Sequence, residues 1–236
     1  MHVMHTLQEG AWSMSVQMGS YIEAIEHLPV GATLCIPEVR WEDYEQLLAQ
    51  LGDDYHVRVS YDCGRLEIMS PLPEHEEFAD MVLGIAREIT RELGVKLETR
   101  GSMTLRRAWQ TKGAEPDASF YVQNAARIIG KRRIDLNTDP PPDIVVEIDL
   151  TNTSQHKFPI YAALGVPEIW TYDGRKAYFY TLADERYVEA SHSQSFPFLT
   201  SIVLTQFIEQ SKTEGQDAAL DAARAWVRVN KTRENG

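Results

Sequence analysis

Cysteine is nearly absent from this 236-residue chain: Cys35 and Cys63 are the whole complement, and they stand in no motif spacing. That gives no support to a disulfide framework or a cysteine-based zinc site. No apolar run approaches the ~20 residues needed to span a bilayer. The opening MHVMHTLQEG lacks the basic start and apolar centre of a secretory signal. A cytoplasmic protein with no membrane partner is expected. Positive charge is also scarce, with 23 Lys and Arg against 35 Asp and Glu and a net charge of −12. This argues against a surface that binds nucleic acid everywhere, because Lys and Arg supply most non-specific affinity for phosphates.

What charge there is lies unevenly. Residues 87–133 hold 11 Lys and Arg against 5 Asp and Glu, a local +6 that leaves −18 for the remainder. One part of the molecule could therefore meet a polyanion while the rest repels it; the alternative is a set of solvated helix and hairpin faces. With 43% hydrophobic and 25% charged residues the composition is that of a folded globular chain. At ~150 residues per domain the length fits one large domain with appendages. We expect an N-terminal extension over 1–37 with a short helix around Tyr21 to His27, a main domain over 38–212, and a C-terminal helix packing on the core within 213–236.

Periodicity supplies the elements. Trp41 to Leu51 reads as an amphipathic helix closed by Gly52, and Val57 to Tyr61 with Arg65 to Ser70 as a hairpin turning at Asp62, Cys63 and Gly64. Phe78, Met81, Val82, Ile85, Ile89 and Leu93 follow helical spacing up to Gly94. Lys96 to Arg106 reads as a strand broken by Gly101, and Asp117 to Val122 as a strand entered through Pro116. Strands are also expected at Glu168 to Tyr172, Ala177 to Leu182 and Tyr187 to Ala190, and a last helix at Asp217 to Val229.

The stretch Pro140 to Asp173, PPPDIVVEIDLTNTSQHKFPIYAALGVPEIWTYD, places acids inside an apolar run and follows them with a lysine. Ile144 to Leu150 reads as a buried strand. Alternation sets Asp143, Val145, Glu147 and Asp149 on one face. A buried carboxylate is costly unless paired, hydrogen-bonded or bound to a metal. Asp143 and Glu147 lie roughly 13 Å apart along the strand and cannot share an ion. Asp117 lies on another strand, and neighbouring strands are only ~4.8 Å apart, so a paired register would bring it beside Glu147. The two carboxylates are then either a site for Mg²⁺ or Mn²⁺, which take oxygen ligands and retain water, or separately hydrogen-bonded strand ends. Lys157 starts the helix behind this strand, either as a cation reaching Glu147 or as a solvent-exposed helix start. His75 points toward the core side of its helix, as a structural residue or a ligand, and Glu76 either favours the helix start electrostatically or reaches a metal site.

The segments GRLEIMSPLPEHEE, EPDASFYV, PPDIVVEID and Lys157 through YAALGVPEIWTYD together resemble the Uma-two restriction-endonuclease family of the PD-(D/E)xK nuclease superfamily, over about residues 38–210. The resemblance implies an α/β, restriction-endonuclease-like fold, a mixed central β-sheet flanked by helices with the active site at one sheet end. It implies a divalent-metal-dependent DNA endonuclease using Mg²⁺ or Mn²⁺. Asp117 and Glu147 match the acidic residues of the two motifs and Lys157 a displaced lysine, while His75 and Glu76 match a His-acidic pair on the first core helix. In the superfamily's basic pattern the lysine lies two residues after the acidic residue; here that position is Asp149, a second carboxylate behind Glu147, a third metal ligand, or an acceptor for backbone N–H groups at Asn152 to Ser154. A homodimer would suit cutting of two strands. The alternative function is a nuclease-like domain without activity that binds nucleic acid or a protein.

Overall fold

Two β-sheets meet across a cleft, and the second is the mixed, helix-flanked one. The computed structural model describes residues 19–52 and 55–231, so residues 1–18 of the expected extension lie outside the described residues. A helix over 19–26 (α1) and Trp41–Leu51 (α2) pack Tyr21, Ile25, Tyr44 and Leu47 onto the first sheet. That sheet is antiparallel throughout, in the order β1 (Thr33–Ile36), β3 (Arg65–Met69), β2 (Arg58–Asp62), β6 (Lys112–Ala114), β5 (Leu105–Arg107). Thr33–Ile36, inside the expected extension, is thus an edge strand of this sheet.

The second sheet runs β11 (Arg186–Ala190), β10 (Ala177–Ala183), β9 (Glu168–Tyr172), β8 (Ile144–Ile148), β7 (Ala118–Tyr121), β4 (Glu98–Thr99), with a short helix, α4 (Ala125–Ile128), between β7 and β8. Only β8 and β9 pair in parallel. A parallel pair needs a crossover rather than a hairpin, and the chain supplies it through a 3₁₀ turn, Ser154–Lys157, and α5 (Phe158–Leu164). Pro159 sits in the first turn, where its missing N–H costs nothing, and Gly165 ends the helix at φ 80°.

Alternation along β8 divides the core. Ile144, Val146 and Ile148 face a cluster built with α3 (Pro73–Leu93), α6 (Ser201–Glu214) and α7 (Gln216–Asn230). Val145 faces the other way, onto Ile160, Tyr161 and Leu164 of α5, which also touches Leu105 and Ala114 of the first sheet. Glu147 shares that second face, so its carboxylate points into the seam between the sheets. Helix α7 is fastened to α3 by Arg224 to Glu88 at 2.8 Å and Arg228 to Glu92 at 2.7 Å.

Two expectations need correction. The strand read over Lys96 to Arg106 is divided at Gly101 (φ 54°), which sends β4 to one sheet and β5 to the other. Helix α6 lies in a stretch to which sequence periodicity assigned no element, and its Ile202 and Val203 are β-branched and disfavour helix. It forms because the Thr200 side chain caps it, accepting from Val203 N at 3.2 Å, and Leu204, Phe207 and Ile208 bury one stripe.

Candidate active site

β7 pairs with β8 antiparallel, Ala118 opposite Val146 and Ser119 opposite Val145. One step further along that register sets Asp117 opposite Glu147, and Ile148 N donates to Asp117 Oδ2 at 2.8 Å. The two carboxylates are therefore neighbours at one end of the strand pair, 4% and 2% exposed respectively. Asp117 Oδ1 is buried and makes no hydrogen bond among the described residues.

Lys157 is buried, not solvent-exposed: its Nζ donates to Glu147 Oε2 at 2.9 Å. The hydroxyl of Tyr161, one helical turn on, donates to Glu147 Oε1. Lys157 and Tyr161 stand four residues apart, so they share one face of the crossover and meet the same carboxylate. Burial is the main influence on Glu147, and with the nearby Asp117 charge it outweighs Lys157 and pushes the carboxyl up to about 7. For Lys157 burial acts to lower the ammonium, but Glu147 and Asp117 prevail and hold it above its usual value. Burial also drives Tyr161 well above the ordinary phenol range, so it remains a donor.

The other residues singled out from the sequence are placed as follows. Asp149 lies just past β8, and its Oδ1 accepts from Ser154 N at 2.9 Å, closing the turn that leads to Lys157. His75 is buried against the cleft, and its Nδ1 accepts from Leu72 N at 3.1 Å at the start of α3. That bond fixes the tautomer, leaving Nε2 to carry the proton. Glu76 is 62% exposed in its side chain and pairs with Arg58 of β2. Asp143 is at the other end of β8, accepting from Val122 N, Asn124 N and Asn124 Nδ2. The basic loop 130–133 lies in the connection from β7 to β8, at the far end of these strands from Asp117 and Glu147.

Three residues went unremarked in the sequence, Glu67 and Arg58 of the first sheet and Glu115 just past β6. Glu67 of β3 meets His156 Nε2 at 2.6 Å across the seam, while His156 Nδ1 lies 3.0 Å from Thr153 O. The Glu67 hydrogen bond raises His156, and His156 in turn overcomes burial to lower Glu67. A ring with both nitrogens on acceptors is an imidazolium. Arg58 approaches Asp117, with Nε 3.6 Å from Oδ1. Glu115 is raised by burial, its oxygens taken by Val59 N and the Thr104 hydroxyl. The only signal was a charged residue within an apolar strand at Arg58 and Glu67, which hairpin positions commonly show.

Among the described residues no group of three or more His, Cys, Asp or Glu is arranged to hold a metal ion. The donor set that fits one is the two-carboxylate pair. Mg²⁺ typically keeps several waters and takes one or two protein carboxylates, and the bare Asp117 Oδ1 offers an oxygen without a competing hydrogen bond. Among the described residues no helix is long and apolar enough to cross a membrane.

A two-layered seam with an acidic pair and a buried lysine at one sheet end is an arrangement suited to phosphoester chemistry. Residues 41–211 match the family described as "Uma2: Putative restriction endonuclease", and the chain belongs to that family. Among solved structures it is similar to a "putative nuclease belonging to DUF820" from Anabaena variabilis, with 16% identity, a TM-score of 0.48, and coverage of 72% of this chain and 99% of that one. No curated protein matches the sequence.

Proposed function

We propose that the protein is a divalent-metal-dependent DNA endonuclease that hydrolyses phosphodiester bonds at the Asp117–Glu147 pair. The observation that carries this reading is the paired register, which sets two buried carboxylates together with Lys157 fixed on one of them. Asp117 Oδ1 and Glu147 would hold Mg²⁺ or Mn²⁺. Such an ion, when bound, polarises a phosphate oxygen and lowers the pKa of its water.

The chain's own groups do the rest. Ile148 N and the strand pairing keep the Asp117 carboxylate turned into the cleft. Lys157, protonated and immobile, is a preorganised positive charge for the phosphate as its charge grows. Tyr161 fixes the rotamer of Glu147 from the opposite side. Hydrolysis forms a bond from the water oxygen to phosphorus, breaks one ester P–O bond, and leaves a proton on the departing oxygen. DNA is the polyanion proposed, and a homodimer would let two such sites cut both strands.

A second reading has its own observation. Both oxygens of Glu147 are already hydrogen-bonded, by Lys157 and Tyr161, which suits a nuclease-like domain that binds nucleic acid or protein without cutting. The deciding experiment incubates wild type and Asp117→Ala with supercoiled and linear DNA in Mg²⁺ or Mn²⁺, with EDTA controls. Cleavage by wild type alone, abolished by EDTA, is the expected result. No cleavage with either ion would move the assignment to the binding domain.

A further inference from the structure

Arg58 opens β2 with a side chain only 9% exposed. Its Nε faces Asp117 Oδ1 across 3.6 Å, and neither atom makes a hydrogen bond among the described residues. A buried donor and a buried acceptor left in this way have each given up water without gaining a partner. The far end of the same guanidinium donates through Nη2 to Glu76, an exposed carboxylate in the first turn of α3. Arg58 thus connects a buried acid of the cleft to an exposed and easily replaced one.

The other cations of the seam are tied to its own acids. Lys157 is held on Glu147 at the centre of the pair, where it serves the reacting phosphate, and His156 has both ring nitrogens engaged. The guanidinium is a planar fork that matches carboxylate and phosphate oxygens alike. Glu76 reaches this buried fork from the solvent side, 62% exposed, so water competes for its half of the contact.

We propose that Arg58 is the phosphate-binding residue of this cleft, and that Glu76 is a stand-in anion that a DNA backbone phosphate displaces. This rests on the phosphodiester reading above and assigns the substrate contact within it. It also gives Glu76 a role other than metal ligation: it covers the Arg58 fork in the free protein and leaves it when substrate binds.

The test is a double-mutant cycle read by fluorescence anisotropy with a labelled DNA duplex, both in Ca²⁺ and in EDTA, on the full chain. Arg58→Gln is expected to weaken binding about tenfold or more, the scale of a charge-assisted hydrogen bond. Glu76→Gln is expected to tighten it about two- to fivefold. The gain from Glu76→Gln must vanish in the Arg58→Gln background, because removing a negative charge helps only through Arg58. Arg58→Lys, which keeps the charge but loses Nε, is expected to lie between wild type and Arg58→Gln.

An equal gain in both backgrounds, no gain at all, or no measurable binding by any variant overturns the proposal. Mg²⁺-dependent cleavage by wild type, measured alongside, reports on the nuclease reading separately. Coupling without cleavage leaves the phosphate contact standing and removes hydrolysis; cleavage without coupling removes only the role of Arg58.

Discussion

Lys157 and Glu147 form a buried ion pair at 2.9 Å: Glu147 comes from the end of β8 and Lys157, ten residues on, from the 3₁₀ turn of the crossover. An unpaired buried ion loses its hydration with nothing in exchange, and the Lys157 ammonium is held in this seam by Glu147 together with the nearby Asp117. The pair is therefore both a structural joint between β8 and α5 and the electrostatic centre of the cleft.

Glu147 should make stability depend on pH. Its folded pKa, about 7, lies above the ordinary carboxyl value of 4.5. A carboxyl raised on folding favours the native state when protonated, so its contribution is fullest below pH 4.5 and declines as pH climbs toward 7. The difference amounts to about 3 kcal/mol. Urea denaturation of metal-free protein between pH 4.5 and 8 should show this fall, and Glu147→Gln should flatten it. The same substitution should abolish DNA cleavage; undiminished cleavage would sink the site assignment.

Tyr161→Phe removes the hydroxyl that donates to Glu147 Oε1 and leaves that oxygen buried without a partner. A loss of about 1–3 kcal/mol in unfolding free energy is expected. In a Glu147→Leu, Lys157→Met background, which removes the acceptor together with its buried cation, the loss should largely disappear. Equal losses in both backgrounds would show that the hydroxyl acts elsewhere.

His156 and Glu67 hold the 3₁₀ turn that carries Lys157 onto the first sheet. His156 is raised, so its share of the stability is present below the usual histidine range and is lost as pH rises through the raised value. Glu67 is lowered, so its share is present above the usual carboxylate range and is lost as pH falls. The pair thus stabilises between those limits, by about 1 kcal/mol given that His156 is partly exposed. Thermal melts of His156→Gln should fall furthest below wild type between those limits and converge on it as pH leaves the window on either side. A pH-independent deficit would contradict the assignment.

Asp117→Asn keeps a carbonyl oxygen to accept from Ile148 N and removes the charge. The fold should persist, with an unchanged circular dichroism spectrum. Mg²⁺ or Mn²⁺ affinity by calorimetry should fall by more than about a hundredfold, the upper end of the effect of removing a mere outer partner of a metal ligand. Wild-type affinity in the variant would remove Asp117 from the ligand set.

Much of the second sheet could be read from the chain. The β-branched run of β8, the proline entering the segment before β7 and the Pro159 to Gly165 helix all carry local signals, because period-2 and period-3.6 patterns record which face is buried. Strand spacing alone selected Asp117 over Asp143 as the neighbour of Glu147. The pairing of β7 with β8 then supplied the register, and Asp149 closes the turn at Ser154.

Arg58, Glu67 and the solvent-free position of Lys157 were decided only by the docking of two sheets. Each comes from a segment whose own pattern is that of an ordinary hairpin or helix start, and each becomes informative through a partner 10 to 89 residues away in the chain. Sequence periodicity fixes which side of a strand or helix faces inward. Which charges then meet across the seam depends on how the layers stack, and that is set by the sum of core contacts from both sheets and α5 rather than by any one segment.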